Sequence, residues 1–278
     1  MPNNQNQRIN IPKIIHYVWL GKGEKSKKIN DCIDSWRVFC PDYQLIEWNE
    51  DRIKDISNPF LTEAIQHKYW AFASDYLRLY ALYNYGGLYF DTDLEITAPL
   101  DRFLFHNFFC SFEIGGNYPS TALLGARKHD NLILELLDHY ENRRFIINDK
   151  PDLTPNPKIF RKILSQHNPD ILEANEQSTV FLDEGRILYP SHFFCKPEAQ
   201  LENYAIHHFE GSWLSEKTRK RLHNTTNKTI FKIFRIEIRK SISGPFAPYP
   251  PTFNDTTKTI LTFEYKKRRR IYILLTKE

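Results

Sequence analysis

The stretch Ala73-Ser74-Asp75-Tyr76-Leu77-Arg78-Leu79-Tyr80-Ala81-Leu82-Tyr83-Asn84-Tyr85-Gly86-Gly87-Leu88-Tyr89-Phe90-Asp91-Thr92-Asp93 decides the fold. Apolar residues recur at helical spacing from residue 61 to 85, and Gly86-Gly87 then stops the helix as a C-cap does. Leu88-Tyr89-Phe90 is a continuous apolar run, the pattern of a strand buried on both faces, and it ends in two acids. A long helix feeding a buried strand points to an open α/β sheet. Ligands of such sheets lie outside the carboxyl ends of the strands, which places the candidate site at Asp91 and Asp93.

Working outward, Ile14-Ile15-His16-Tyr17-Val18-Trp19 reads as a first strand, ended by Gly21-Lys22-Gly23. Ile29, Cys32, Ile33 and Trp36 recur at helical spacing before Pro41, and Tyr43 to Trp48 reads as a second strand. Strand, helix and strand at such short intervals predict a crossover unit and parallel pairing. Downstream, Asn131 to Leu137 reads as helix, Lys150 to Pro157 as a Pro-rich loop, and Ile187 to Pro190 as a short strand. Tyr204 to Phe209 reads as a further strand leading into Gly211-Ser212-Trp213.

The 278 residues, 41% hydrophobic and 26% charged, suffice for one core with an appendage and exclude disorder and a disulfide-stapled miniprotein. Four scattered cysteines give no zinc motif, and the polar N-terminus does not resemble a signal peptide, so a reducing cytoplasm is expected. No apolar run approaches the roughly 18 residues of a membrane span. The net charge of +4 hides a division: from Leu214 onward there are 16 Lys and Arg against 5 Asp and Glu, leaving an acidic body. We therefore expect a catalytic domain over residues 1–215 and a basic segment over 216–278.

On a regular strand Asp91 and Asp93 leave the same face about 7 Å apart, and they repel. A cation between them is the natural remedy, and hard oxygen donors suit Mn²⁺ or Mg²⁺. Asp75 and Arg78 share a helix face and could continue the site. Taken alone, Asp-x-Asp is often chance and a helical Asp/Arg pair is usually a surface salt bridge. Delivery of both acids by a buried strand argues for a site.

The quoted stretch resembles the sugar-binding region of DXD-motif glycosyltransferases of family 32, related to the catalytic domain of the large clostridial glucosylating toxins. Ile11 to Gly21, Ala122 to Ala126 and Ala205 to Trp213 match the same pattern. The resemblance implies a GT-A fold, a Rossmann-like mixed sheet flanked by helices, to which the charge pattern of the tail adds an expected basic C-terminal helical extension. It implies retaining transfer from a nucleotide-sugar. Trp19 would stack on the donor base beside Val18, and Ser74, Asp75, Arg78 and Tyr89 would line the donor. Asp93 would ligate the metal directly, with Asp91 on ribose and metal-bound water. A late histidine, His207 in preference to His208, would complete the metal site, and Ser212 and Trp213 would close over the diphosphate. Front-face attack is expected, with Asp75 and Glu113 the carboxylates left open for another role.

Read in this way, the chain is expected to be a peripheral enzyme of the inner face of the cell membrane. It would add a sugar, from a UDP-sugar by preference, to a lipid-linked surface polysaccharide such as O-antigen or capsule. A toxin-like protein glycosyltransferase is the alternative. A phosphatase or mutase with a strand-terminal Asp-x-Asp is disfavoured because Glu95 stands where Thr or Val is expected. The remaining class is a non-enzymatic binder acting through its tail. Lys228, Lys232, Arg235 and Arg239 would form a basic stripe if helical, and Lys266 to Arg270 is a basic block, which suits an anionic membrane surface better than nucleic acid.

Overall fold

The computed structural model describes residues 9–115 and 118–210, together with the backbone of 258–265 and 269–276. The chain divides into two compact units, Met1–Arg219 and Lys220–Glu278. In the first, the strands are β1 (Ile14–Val18), β2 (Gln44–Trp48), β3 (Gly87–Phe90), β4 (Leu94–Ile96), β5 (Phe108–Ser111) and β6 (Leu123–Ala126). They continue with β7 (Ile146–Ile147), β8 (Lys150–Pro151), β9 (Val180–Phe181), β10 (Arg186–Tyr189) and β11 (Ala205–His207). The helices are α1 (Lys27–Phe39), α2 (Glu50–Ile53), α3 (Pro59–Gln66), α4 (Trp70–Tyr85), α5 (Asn131–Asp138), α6 (Asn156–His167) and α7 (Ser191–Phe194).

Seven strands form one mixed sheet in the order β2-β1-β3-β6-β5-β10-β9. β1 runs parallel to both β2 and β3, so the expected crossover units are present, while β6 runs antiparallel to its neighbours β3 and β5. This is the mixed α/β sheet flanked by helices expected of the GT-A type. Along β3 the side chains alternate between two layers. Tyr89 packs with Tyr76, Leu77, Leu79 and Leu82 of α4, and Leu88 and Phe90 pack with Ile29, Ile33 and Trp36 of α1. Burial on both faces explains the unbroken apolar run.

The single helix expected over 61–85 is two. α3 ends in a Schellman turn, in which Tyr69 N–H donates to the Ala64 carbonyl at 2.8 Å and Lys68 N–H to that of Ile65 at 3.0 Å. Lys68 occupies the left-handed position, φ 60°, where glycine is usual, so the break carries no glycine signal. Gly86 and Gly87 end α4 as expected, and Gly87 has a second reason to lack a side chain. At φ 108°, a Cβ there would lie 2.5 Å from the Ile14 carbonyl oxygen, so β3 could not pair closely with β1.

Trp36 and Ser35 of α1 fix the short strand β4. The Trp36 indole N–H donates to the Leu94 carbonyl at 2.7 Å, and Ile96 N–H donates to Ser35 Oγ at 2.9 Å. β4 pairs antiparallel with β11 in a separate two-stranded sheet, register His207 to Leu94.

In the second unit, β12 (Lys258–Tyr265) and β13 (Arg269–Thr276) form an antiparallel hairpin. The described part of the expected helical extension is therefore strand, in keeping with its Ile, Thr, Phe and Tyr content. The stripe at 228–239, the expected boundary at 215 and residues Ser212 and Trp213 lie outside the described residues. No helix among the described residues is long and apolar enough to cross a membrane.

His16, fully buried on β1, accepts at Nδ1 from the Trp48 indole N–H at 3.2 Å, and its Nε2 lies 2.9 Å from the Gly86 carbonyl oxygen. Only the neutral ring with its proton on Nε2 satisfies both partners. Burial pushes its pKa down to about 4, against the raising effect of the Gly86 carbonyl. The unfolded chain then binds this proton near pH 6.5 and the folded chain only near pH 4, so His16 supports the fold fully above about pH 6.5. That support falls away between pH 6.5 and 4, by about 3 kcal/mol in all. Urea unfolding from pH 7 to 4 should show this decline in the wild type and a flatter profile in His16→Gln.

Candidate active site

The neighbouring parallel strands β1 and β3, both interior to the sheet, finish side by side at their carboxyl ends, and the acids follow β3 immediately. The strand stops at Phe90, however, and Asp91 to Leu94 form a turn in which Leu94 N–H donates to the Asp91 carbonyl at 3.0 Å. This corrects the strand geometry read from the sequence. The turn draws the carboxylates closer than strand alternation would, and carboxylate oxygens of Asp91 and Asp93 and a ring nitrogen of His207 all lie within 4.8 Å of one another.

Each acid has its own cation. On one side, Arg78 Nη2 lies 3.3 Å from Asp91 Oδ1 and 3.0 Å from Asp75 Oδ1, with the guanidinium 4.7 Å from the centre of the Tyr89 ring. Tyr89 O–H donates to the same Asp91 oxygen at 3.0 Å. Arg78 also donates from Nη1 to the Thr121 carbonyl at 2.9 Å, and from Nε and Nη2 to the Ser74 carbonyl and Oγ, both at 3.2 Å. It is 4% exposed, and most of its donors are engaged by protein groups. Its principal effect is thus to fix Asp75 and Asp91 relative to β6. Although burial opposes its charge, Asp91, Tyr89 and Asp75 hold the guanidinium pKa above its usual value. Burial pushes the Asp75 carboxyl up to about 6, Arg78 opposing and Asp91 adding to the rise, so Asp75 can accept or donate a hydrogen bond near neutral pH.

On the other side, His207 Nε2 lies 3.4 Å from Asp93 Oδ1, and Glu210 N–H donates to Asp93 Oδ2 at 2.8 Å. Burial disfavours both charges, but each group's partner more than compensates. Asp93 is held below the usual carboxylate range, and His207 is pushed up to about 10. In the free protein His207 is therefore an imidazolium that balances Asp93. His208, the residue after β11, instead has its Nε2 2.8 Å from Glu95 Oε2, so the two histidines meet different acids.

Two carboxylates and an imidazole fit a divalent cation of the Mn²⁺ type. A 3.4 Å separation between His207 Nε2 and Asp93 Oδ1 suits adjacent ligands around such an ion, whose bonds are a little over 2 Å. These residues could hold the ion while leaving positions open for phosphate oxygens.

Trp19 follows β1 directly. Its indole N–H donates to the Gly23 carbonyl at 2.7 Å, and the Lys25 ammonium stands 5.1 Å from its ring centre, itself paired with Glu47 at 2.8 Å. Val18 ends β1, and both residues are half-buried. Sequence reasoning did not mark Lys25, nor the backbone groups of Thr121, Cys195 and Glu210 that fix Arg78, His207 and Asp93. Main-chain partners carry no residue-type signal, which is why they escaped it.

Residues 26–110 match the family model of the glycosyltransferase sugar-binding region containing DXD motif. The chain is 32% identical over 106 residues to inositol phosphoceramide mannosyltransferase 3 of Schizosaccharomyces pombe (strain 972 / ATCC 24843), covering 36% of this chain and 29% of that protein. It is 27% identical over 193 residues to inositol phosphoceramide mannosyltransferase 1 of the same organism, covering 67% of this chain and 52% of that one. The chain thus spans from under a third to about half the length of these curated relatives. Among solved structures it is similar to the PaToxG glycosyltransferase at 20% identity, covering 59% of this chain and 73% of that one, with a TM-score of 0.44.

Manganese titration separates the two histidines. Loss of a direct ligand in His207→Ala should weaken Mn²⁺ binding by about tenfold or more, since even outer partners of metal ligands are worth that much. His208→Ala should stay within about twofold of wild type on the same scale. Equal behaviour of the two variants would remove His207 from the cation site.

Proposed function

We propose that the chain is a metal-dependent, retaining glycosyltransferase that moves a hexose from a nucleotide-sugar onto a lipid-linked acceptor at a membrane surface. The observation that carries this reading is the convergence of Asp91, Asp93 and His207 with the Asp75–Arg78 pair, in a segment matching a DXD sugar-binding family. Asp93 and His207 would hold the ion from the β4–β11 side and Asp91 from the β3 side. When bound, Mn²⁺ or Mg²⁺ would neutralise charge on the diphosphate leaving group.

The chain's own residues do the rest. Arg78 adds a permanent buried charge beside Asp91, where it is worth more than in water. Tyr89 and Thr121 keep that guanidinium from turning away. Asp75, poised near neutral pH, would accept or donate to hydroxyls of the transferred sugar. Trp19 offers a flat indole beside Val18 for the base, and Ser212 and Trp213 would complete the diphosphate cover.

A UDP-sugar is the donor favoured by the toxin resemblance. The relatives named as inositol phosphoceramide mannosyltransferases support a lipid acceptor and make a GDP-mannose donor the second candidate. Assembly of O-antigen or capsule on a lipid carrier at the inner face of the cell membrane is the setting we favour. The excess of 16 basic over 5 acidic residues from Leu214 onward supports contact with anionic headgroups.

Donor hydrolysis without acceptor tests the enzyme reading. A screen of UDP- and GDP-sugars with Mn²⁺ should find at least one that the wild type splits, with activity lost in EDTA and in Asp93→Ala. Full activity of Asp93→Ala in EDTA would overturn it. The membrane reading is tested separately. Sedimentation with vesicles containing anionic lipid should fall severalfold on deleting residues 216–278 and should weaken with salt; an unchanged bound fraction would reject it.

A further inference from the structure

We infer that Glu113 is a further catalytic residue: its carboxylate contacts the sugar transferred at the site of Asp91, Asp93 and His207. The inference rests on the transferase reading and adds a residue beyond the stretch that matches the family, which ends at 110.

Glu113 is placed by the sheet. After β5 the chain keeps pairing with the segment that leads into β6. Ser120 N–H donates to the Ser111 carbonyl at 2.7 Å, Phe112 bridges Pro119, and Glu113 N–H donates to the Tyr118 carbonyl at 2.8 Å. The next two residues of that segment carry the site itself. The Thr121 carbonyl accepts from Arg78, and the Ala122 carbonyl accepts from Asp91 N–H at 2.8 Å. Glu113 therefore shares a continuous hydrogen-bonded frame with Arg78 and Asp91, whereas its neighbours Ile114 and Tyr118 are exposed at the rim.

The carboxylate is half-buried, yet among the described residues it makes no hydrogen bond and no ion pair. The charges acting on it are those of His207, Asp91 and Arg78, the groups of the cation site. It is close enough to feel them and bonded to none. A carboxylate withdrawn from water without a partner is costly, so a ligand is its natural complement. Glu113 is not among the residues whose ligand atoms converge at the candidate cation site, which are Asp91, Asp93 and His207. Hydroxyls of a sugar held between Glu113 and Arg78 would supply the missing donors.

In the transfer, the bond between the anomeric carbon and the diphosphate oxygen breaks, its electron pair leaving on the diphosphate. The acceptor hydroxyl oxygen, or water in hydrolysis, bonds to that carbon and gives its proton to the departing diphosphate. Glu113 forms no bond. Its negative charge stabilises the positive charge that grows on the sugar ring.

The test uses the full chain with Mn²⁺ and two probes, UDP-glucose and GDP-mannose, whichever the wild type hydrolyses. Glu113→Gln should lower kcat about a hundredfold or more while leaving the Kd of the matching nucleoside diphosphate and the thermal midpoint unchanged, and Glu113→Asp should recover part of the rate. Unaltered kcat in Glu113→Gln overturns the inference and leaves the transferase reading intact. Diphosphate affinity or melting that falls in step with kcat also overturns it, reducing Glu113 to a structural role. A wild type that splits neither donor, nor any other nucleotide-sugar, overturns the transferase reading and the inference with it.

Discussion

Two carboxylates separated by one residue repel each other, and the candidate site depends on how that repulsion is balanced. Arg78 pairs with Asp91 and His207 with Asp93, so the free protein has a cation for each anion. The two cations differ in kind. Arg78 is buried, permanently charged and tied to main-chain carbonyls, so it is part of the frame. His207 can give up its proton, and its place beside Asp93 is one a divalent ion can share. The fixed charge thus orients the pair, and the exchangeable one leaves room for a metal.

Delivering that pair is the work of the central sheet. β3 is sealed on both faces, Tyr89 against α4 and Leu88 with Phe90 against α1, so its end cannot drift. Gly87 lets the strand approach β1 within backbone contact, and Trp36 holds β4 by its first carbonyl just past the turn. The turn from Asp91 to Leu94 is pinned from both ends. Loss of strand geometry at this point is what allows the acids to converge rather than stand a pleat repeat apart.

Much of this was legible in the chain. The periodicity of α1 and α4, the apolar run of β3, the double glycine and the acids all signal themselves locally, because each follows from the residue types within one turn or one strand. The strand around β11 was legible in the run Tyr204 to Phe209, but the grouping of His207 with the acids was expected from resemblance alone, since no local pattern says which distant strand β11 will pair with. The break at Lys68 was not legible, because a lysine fills a position where glycine is the usual sign. Nor was the segment leading into β6 visible as a partner of the site, although its Thr121 and Ala122 carbonyls hold Arg78 and Asp91, since the bonding groups are main chain and every residue has them.

The sequence by itself determined that a buried strand would end in two acids behind a glycine-capped helix and that a divalent cation was the natural partner to look for there, while the sugar-nucleotide chemistry came from family resemblance. Only the tertiary structure decided which groups balance those acids. Residues as distant as Asp93 and Glu210, 117 positions apart, meet because β11 pairs with β4, and that pairing depends on packing of the whole layer rather than on any local preference. Propensities act over a few residues, whereas charge balance is set by whatever the fold brings within a few ångströms.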